Sequence, residues 1–292
     1  MKEFKGKTAV VTGAASGIGR GLAQRCAEEG MNVVLADIEE KALADAEREM
    51  KAAGTAVLAV LTDVSKAADI ETLAKKTLET YGEVHLLFNN AGVAAGFTAW
   101  NSTEEDWRWV LGVDLWGVIH GIRVFVPVML KQDVECHVVN TASIAGLISG
   151  AGSATYKVAK HGVVTLSETL HHELRRRRAK IGVSVFCPSF VNTRVMDCER
   201  HRPSEISNSP ALEAERKANP VFQAVWKLFD DGVKAGVSCR QAAECVFNGI
   251  EEDKFYIFTE PDIARALVQT RMEDILQGRQ PTDPLAGLIP RQ

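Results

Sequence analysis

Three side chains in one stretch of this sequence are suited to moving a proton. Ser143 is followed 13 residues later by Tyr156, and Lys160 lies four residues beyond that. If residues 155–179 are helical, Tyr156 and Lys160 stand one turn apart on the same face. An ammonium that close favours the phenolate. A tyrosine begins near pKa 10, so reaching about 7 needs roughly 4 kcal/mol, within reach of two cations in a partly dry cleft. Such a tyrosine serves as general base for an alcohol and general acid for the reverse reaction. Tyrosine and lysine at this spacing are also common on solvated helices, so the pair needs a context.

The context lies at the other end of the chain. Thr12-Gly13-Ala14-Ala15-Ser16-Gly17-Ile18-Gly19 follows an apolar run and opens a second helical segment. Glycines let the backbone turn sharply and approach a pyrophosphate, and a helix beginning at Gly17 points free N–H groups at that anion. Asp37 closes the next apolar run, 18 residues after Gly19. A carboxylate there accepts hydrogen bonds from adenosine ribose hydroxyls and repels a 2′-phosphate. Neither Ser16 nor Ile38 supplies a cation to welcome one, so NAD is expected rather than NADP. An oxidised nicotinamide would then be the second cation near Tyr156. The plainer reading of Asp37 is an N-cap for the helix that follows.

The segments that must position these residues alternate short apolar runs with longer amphipathic ones, the pattern of repeated βα units and a parallel sheet. Strands are expected at Thr8–Val11, Met31–Ala36, Thr55–Leu61, Val84–Phe88, Cys136–Asn140, Gly182–Phe186 and Phe255–Phe258. Helices are expected over about 17–29, 39–53, 66–81, 103–130, 155–179 and 239–251. Ser189 to Asn219 is rich in Pro, Ser, Asn and charge, and a connection this long reads as a lid or binding loop. An apolar helix-like run follows at 211–230. The tail after Gln280, with Pro281, Pro284 and Pro290, is expected to be irregular. The Arg175–Arg178 run reads as a solvated helix end that complements the helix dipole.

Composition fits a globular chain of one domain. Of 292 residues, 46% are hydrophobic and 25% charged, enough for one large core. The net charge of −4 gives no footprint for a nucleic-acid partner. Six scattered cysteines without a CxxC pair or a histidine at ligand spacing point to reduced thiols, no metal and a cytoplasmic setting. The most apolar region, Gly117 to Leu130, is broken by His120, Arg123 and Pro127, so no membrane span is expected.

Taken together, these motifs resemble the short-chain dehydrogenase/reductase family. The resemblance rests on TGAASGIG at 12–19, Asp37, Asp63-Val64, Asn89-Asn90-Ala91-Gly92, and Ser143 with Tyr156-Lys157-Val158-Ala159-Lys160. Cys187-Pro188-Ser189 with Thr193 looks like a variant of the family's Pro-Gly turn. The match runs over about residues 5–195. It implies an α/β, doubly wound parallel sheet, the Rossmann fold. It implies that Tyr156 is the acid/base, that Ser143 polarises the reacting oxygen, and that Lys160 holds the nicotinamide ribose. Gly13, Ser16, Gly17, Ile18, Gly19, Asp37 and Ile38 would hold the cofactor's diphosphate and ribose, and Asp63 and Val64 would flank adenine. Asn90, Ala91 and Gly92 would line the cofactor, with Pro188, Val191 and Thr193 near the nicotinamide.

Two positions depart from the family pattern. Asp114 stands where an Asn usually completes a proton relay through water and Lys160. Ser189 replaces a Gly. The expected organisation is a single domain over 1–292, with a dinucleotide-binding and catalytic core at 5–189, a substrate lid at 190–230, and a C-terminal helix, last strand and tail at 231–292. Phe190, Met196, Phe222, Val225, Trp226 and Phe229, with Phe97 and Trp100, could wall an apolar pocket, or could be core. The reading is an NAD-dependent oxidoreductase that interconverts a bulky, largely apolar or aromatic secondary alcohol and its ketone. A homodimer or homotetramer is expected, paired through the helices near 103–130 and 155–179. Rivals are an NADPH-dependent carbonyl reductase, a sugar-nucleotide epimerase or dehydratase, and a non-catalytic NAD-binding regulatory protein. The glycine spacing and short C-terminal part argue against the epimerase.

Overall fold

A computed structural model describes residues 1–96 and 98–286. Phe97 and Pro290 lie outside the described residues. Seven strands, β1 (Thr8–Thr12), β2 (Asn32–Asp37), β3 (Val57–Leu61), β4 (Leu86–Asn89), β5 (Cys136–Thr141), β6 (Ile181–Phe186) and β7 (Tyr256–Ile257), form one sheet in the order β3-β2-β1-β4-β5-β6-β7. Every pairing is parallel. A parallel sheet must be covered on both faces. Accordingly, Ala9 and Val11 of β1 pack with Leu22, Cys26 and Phe247, while Val10 between them packs with Ile70, Leu73, Phe125 and Met129. Each fully buried Leu or Phe in these layers contributes about 1.5–3 kcal/mol.

The first face is covered by α1 (Gly17–Glu28), α2 (Glu40–Ala52) and, later in the chain, α9 (Cys239–Glu251). The other carries α3 (Ala67–Tyr81), α5 (Gly117–Gln132) and α6 (Ala154–Arg176). The result is the doubly wound α/β sheet. The order reverses between β1 and β4, so the loops after these two strands part and leave a crevice at their carboxyl ends.

The expected helix at 103–130 is α4 (Glu104–Leu111) running into α5 through a single π turn, Gly112–Trp116. Glu104–Gln132 as a whole is long and apolar enough to cross a membrane by length and composition. Here it is a packed helix of the fold, with Val110, Phe125 and Met129 fully buried.

Beyond β6 the chain is more regular than expected. Two short 3-10 segments, Val195–His201 and Ser204–Ile206, lead into α7 (Pro210–Ala218) and α8 (Pro220–Ala235). The break between them is chemical. Asn219 caps α8 by accepting from the N–H groups of Val221 and Phe222, and Pro220 takes the first helical position. After β7 comes α10 (Pro261–Leu276), a helix the sequence reading did not anticipate.

Candidate active site

The phosphate-binding turn depends on glycine in the way its spacing suggests. A Cβ on Gly19 would lie 2.0 Å from the carbonyl oxygen of Gly13, and one on Gly13, at φ +66°, would lie 2.9 Å from Ala91 Cα. The turn is thus closed against the chain following β4. Ser16 occupies the N-cap of α1, yet its hydroxyl makes no capping bond. The first N–H groups of α1 and the Ser16 hydroxyl therefore meet at one end of the crevice.

Asp37 is not the N-cap of α2, a position taken by Glu39, but it anchors the turn just before that helix. One carboxylate oxygen accepts the Ala15 N–H of the glycine turn at 2.9 Å, and the other accepts the Glu39 N–H at 2.9 Å. It also lines the cleft, so these two bonds hold the carboxylate in position without removing it from the site. Asn90 is fixed by Thr12, whose hydroxyl accepts the Asn90 N–H at 2.8 Å and whose carbonyl accepts from Nδ2 at 3.0 Å. Asn89 Nδ2 donates to Asn140 Oδ1 at 2.8 Å, tying β4 to β5.

The cleft holds about 240 Å³. Gly13, Ser16, Gly17, Ile18, Asp37, Ile38, Asp63, Val64, Asn90, Ala91, Gly92, Tyr156, Lys160, Pro188 and Thr193 all line it. Four expected residues do not. Gly19 lies behind the turn as a packing glycine. Ser143 is buried just behind the cleft wall, with its hydroxyl accepting the Ala145 N–H at 3.1 Å. Asp114 is fully buried beneath Lys160. Val191 is turned into the core and bridges to Val237, so its side chain is unavailable to a carboxamide.

The expected catalytic residues come from two elements. Ser143 follows β5, and Tyr156 and Lys160 share one face of α6. Ser153, three residues before Tyr156, enters α6 in a left-handed conformation at φ 51°. Lys160 Nζ lies 5.4 Å from the Tyr156 ring centroid and donates to Thr141 O at 3.1 Å. The same ammonium lies 3.1 Å from Asp114 Oδ2, while Asp114 Oδ1 accepts the Val93 N–H at 2.8 Å. The departure from the family pattern is thus a buried ion pair centred on a π turn, and π turns often mark functional positions.

This pair changes the expected electrostatics. Burial lowers Lys160, but the Asp114 carboxylate, with Tyr156 and Cys187, more than offsets that and holds the ammonium above its ordinary range. Burial raises the Tyr156 phenol. Lys160 and a hydrogen bond from Ser143 pull it down, and Asp114 pushes it back up. The fall toward 7 expected from the sequence is therefore not reached by the chain's own charges, because burial outweighs the cation that was to produce it and Asp114 adds to the burial effect. Ser189, the other departure, costs little. It is not in a left-handed conformation, and its N–H is donated to Thr259 Oγ1 at 3.0 Å.

The apolar wall is built from other residues than those expected. Val93, Trp109, Val113, Val195, Cys198, Pro203 and Ile206 face the cleft. Phe190 and Phe229 pack edge to face at 5.9 Å, Phe222 stacks on Trp226 at 5.8 Å, and Trp100 is 75% exposed; none of them lines this cleft. Sequence reasoning also missed Asp106. Its side chain is fully shielded and accepts from Arg216 at 2.7 Å, Asn208 at 2.9 Å and Arg202 at 2.5 Å. Arg202 lies 4.6 Å over the Trp109 ring. These contacts fasten the polar segment after β6 onto α4. The capping-box spacing of Thr103 and Asp106 was the one available signal.

Residues 7–203 match the family model described as short chain dehydrogenase. The chain belongs to that family. It is 31% identical over 281 residues, 96% of this chain and 97% of its counterpart, to the CLA biosynthesis dehydrogenase/reductase of Lactiplantibacillus plantarum. It is 34% identical over 269 residues, 91% and 87%, to the 1-deoxy-11-beta-hydroxypentalenate dehydrogenase of Streptomyces avermitilis. Among solved structures, a short-chain dehydrogenase/reductase from Burkholderia phymatum in complex with NAD superposes with a TM-score of 0.92. The identity is 46%, over 98% of this chain and 99% of that one. The chain is thus an oxidoreductase of a family with alcohol and ketone dehydrogenases among its members, and the NAD-bound neighbour supports a nicotinamide cofactor.

Proposed function

We propose that this protein is an NAD-dependent dehydrogenase interconverting a secondary alcohol and its ketone, with a bulky, largely apolar or aromatic substrate. The observation that carries the reading is Tyr156 and Lys160 at one end of a cleft, with Ser143 buried just behind its wall, and the glycine turn and Asp37 closing the other end. The residues fit a dinucleotide: Ser16 and the first N–H groups of α1 face the crevice, held there by a close turn that leaves no room for a Cβ on Gly13 or Gly19. When bound, the nicotinamide supplies the acceptor or donor for hydride at the substrate carbon.

The chain's own residues handle the proton. Tyr156 takes it from the alcohol oxygen during oxidation and returns it during reduction. Ser143 holds the phenol oxygen and the reacting oxygen in one arrangement. Lys160 stays charged because of Asp114 and favours the phenolate whenever a further cation enters the site. Asp37, with Ile38 and Ser16 offering no cation, favours a free ribose over a 2′-phosphate and so NAD over NADP.

A bulky apolar substrate is supported by the lining of Val93, Trp109, Val195, Cys198 and Ile206. Residues 190–230 would act as the lid over that substrate, excluding water once closed. The six free thiols, four of them buried, support a cytoplasmic setting, and the charge of −4 supports neither nucleic acid nor an anionic membrane as partner. A homodimer or homotetramer is supported by Trp116 and Val158, each about half exposed on the helices expected to pair. The test is a panel of secondary alcohols and ketones assayed with both nicotinamide cofactors by the absorbance of the reduced form. Turnover of bulky secondary alcohols with NAD supports the reading. An inert panel, or clear preference for NADPH, would overturn it.

A further inference from the structure

Across the cleft from Asp37 stand an arginine and a histidine that the glycine turn and β2 do not supply. Arg200 and His201, on the 3-10 segment after β6, line the same cleft as Asp37 and Ile38. Both converge on Glu39, two residues beyond Asp37. Arg200 Nε lies 3.2 Å from Glu39 Oε1, and His201 Nε2 lies 3.6 Å from that oxygen. Arg200 Nη1 donates to the carbonyl oxygens of Asp197 at 2.7 Å and Arg194 at 3.3 Å. Asp197 lies 3.6 Å from the same Nη1 and is itself engaged by Arg194 at 2.8 Å. His201 is close enough to Asp37 to feel its charge.

From this arrangement we infer that cofactor selectivity is set on both sides of the adenosine end: Glu39 is a specificity-determining residue that holds Arg200 and His201 away from the ribose, while Asp37 repels a 2′-phosphate. The inference rests on the dinucleotide reading above. The physical argument is charge balance. A 2′-phosphate brings up to two negative charges against the carboxylates of Asp37 and Glu39, and its natural partner is a guanidinium. The guanidinium is already at the rim, but its Nε is committed to Glu39. The chain thus carries a latent 2′-phosphate site that the two carboxylates keep shut. Opening it requires no new arginine, only removal of an anion.

The experiment compares binding of ADP with binding of 2′,5′-ADP by calorimetry, so that it reads affinity rather than turnover. Wild type should prefer ADP. Glu39→Gln, which keeps the side-chain length but loses the charge, should shift the ratio toward 2′,5′-ADP by about tenfold, as expected for relief of one close like-charge contact. Asp37→Asn should shift it the same way. Adding Arg200→Ala to Glu39→Gln should return the ratio toward wild type, whereas Asp37→Asn, in which Glu39 still holds Arg200, should keep its gain. The inference is overturned if Glu39→Gln leaves the ratio unchanged while ADP still binds, or if the Glu39→Gln gain survives Arg200→Ala. Should wild type bind neither nucleotide, the dinucleotide reading itself fails, a separate and recognisable result.

Discussion

The Asp114 carboxylate and the Lys160 ammonium form an ion pair 3.1 Å across, with 0% and 3% of their side chains exposed. Lys160 thereby acquires a counter-charge at the site where its positive charge is needed by Tyr156. Burial raises the Asp114 carboxyl, while Lys160 and the Val93 N–H oppose that rise. Asp114→Asn keeps the shape and the acceptor for the Val93 N–H while removing the anion. Because Asp114 raises the Tyr156 phenol, its loss lowers that group. The base form is then present at lower pH, so the rising limb of kcat/KM for alcohol oxidation moves to lower pH. The pH profile of the variant beside wild type checks this, and an unmoved limb refutes the coupling.

Tyr156→Phe removes only the oxygen that carries the proton. Turnover should fall by roughly 10²–10⁴-fold, the usual size of a general acid–base contribution. Binding of NADH, followed by its fluorescence, should stay near wild type, since the ring and Lys160 remain. Substantial residual turnover would assign the proton transfer elsewhere.

Asp106 is a structural pin. Although burial opposes it, hydrogen bonds from Arg216, Arg202 and Asn208 hold the carboxyl down to about 2. The sign follows from linkage: a carboxylate depressed in the folded state contributes stability above its unfolded pKa near 3.9, and that contribution is lost as pH falls toward about 2. Asp106→Ala strands two buried arginines and should cost about 3–5 kcal/mol. Thermal unfolding measures the loss. Hydrogen exchange should report it first in residues 195–219, and a variant as stable as wild type would contradict the role.

Residues 190–230, proposed as the lid, should gain exchange protection when NADH and a product ketone are bound, with little change in the strands. The pin at Asp106 restricts the motion to segments around it, so α8 and the Val195–His201 turn should respond more than Arg202 to Arg216. Equal protection with and without ligand would mean fixed structure and another route for substrate.

Light scattering at micromolar concentration should give the mass of a dimer or tetramer. Trp116→Glu and Val158→Glu, on the proposed pairing helices, should reduce it. A wild-type monomer would refute the assembly.

Much of this protein is legible in its sequence because the relevant physics is local. The alternation of apolar and amphipathic runs marks the strands to within two residues at each end. The glycine spacing requires a close turn, and a four-residue separation puts Tyr156 and Lys160 on one helical face whatever surrounds them. α10 escaped notice, although Pro261 and Asp262 in its first turn were a usable start signal.

Tertiary structure alone decided the charges. Asp106 meets Arg202 and Arg216 across 96 and 110 residues of chain, and Glu39 meets Arg200 across 161. In sequence, each of these is an ordinary charged residue on a polar stretch, indistinguishable from a solvated surface group. Asp114 was recognisable as a departure, but whether its carboxylate would face water, backbone or Lys160 depended on how the π turn packs against α6. Spacing along the chain determines which residues share an element. The sign and strength of an electrostatic effect depend on separation and burial, and these exist only once distant elements have packed together.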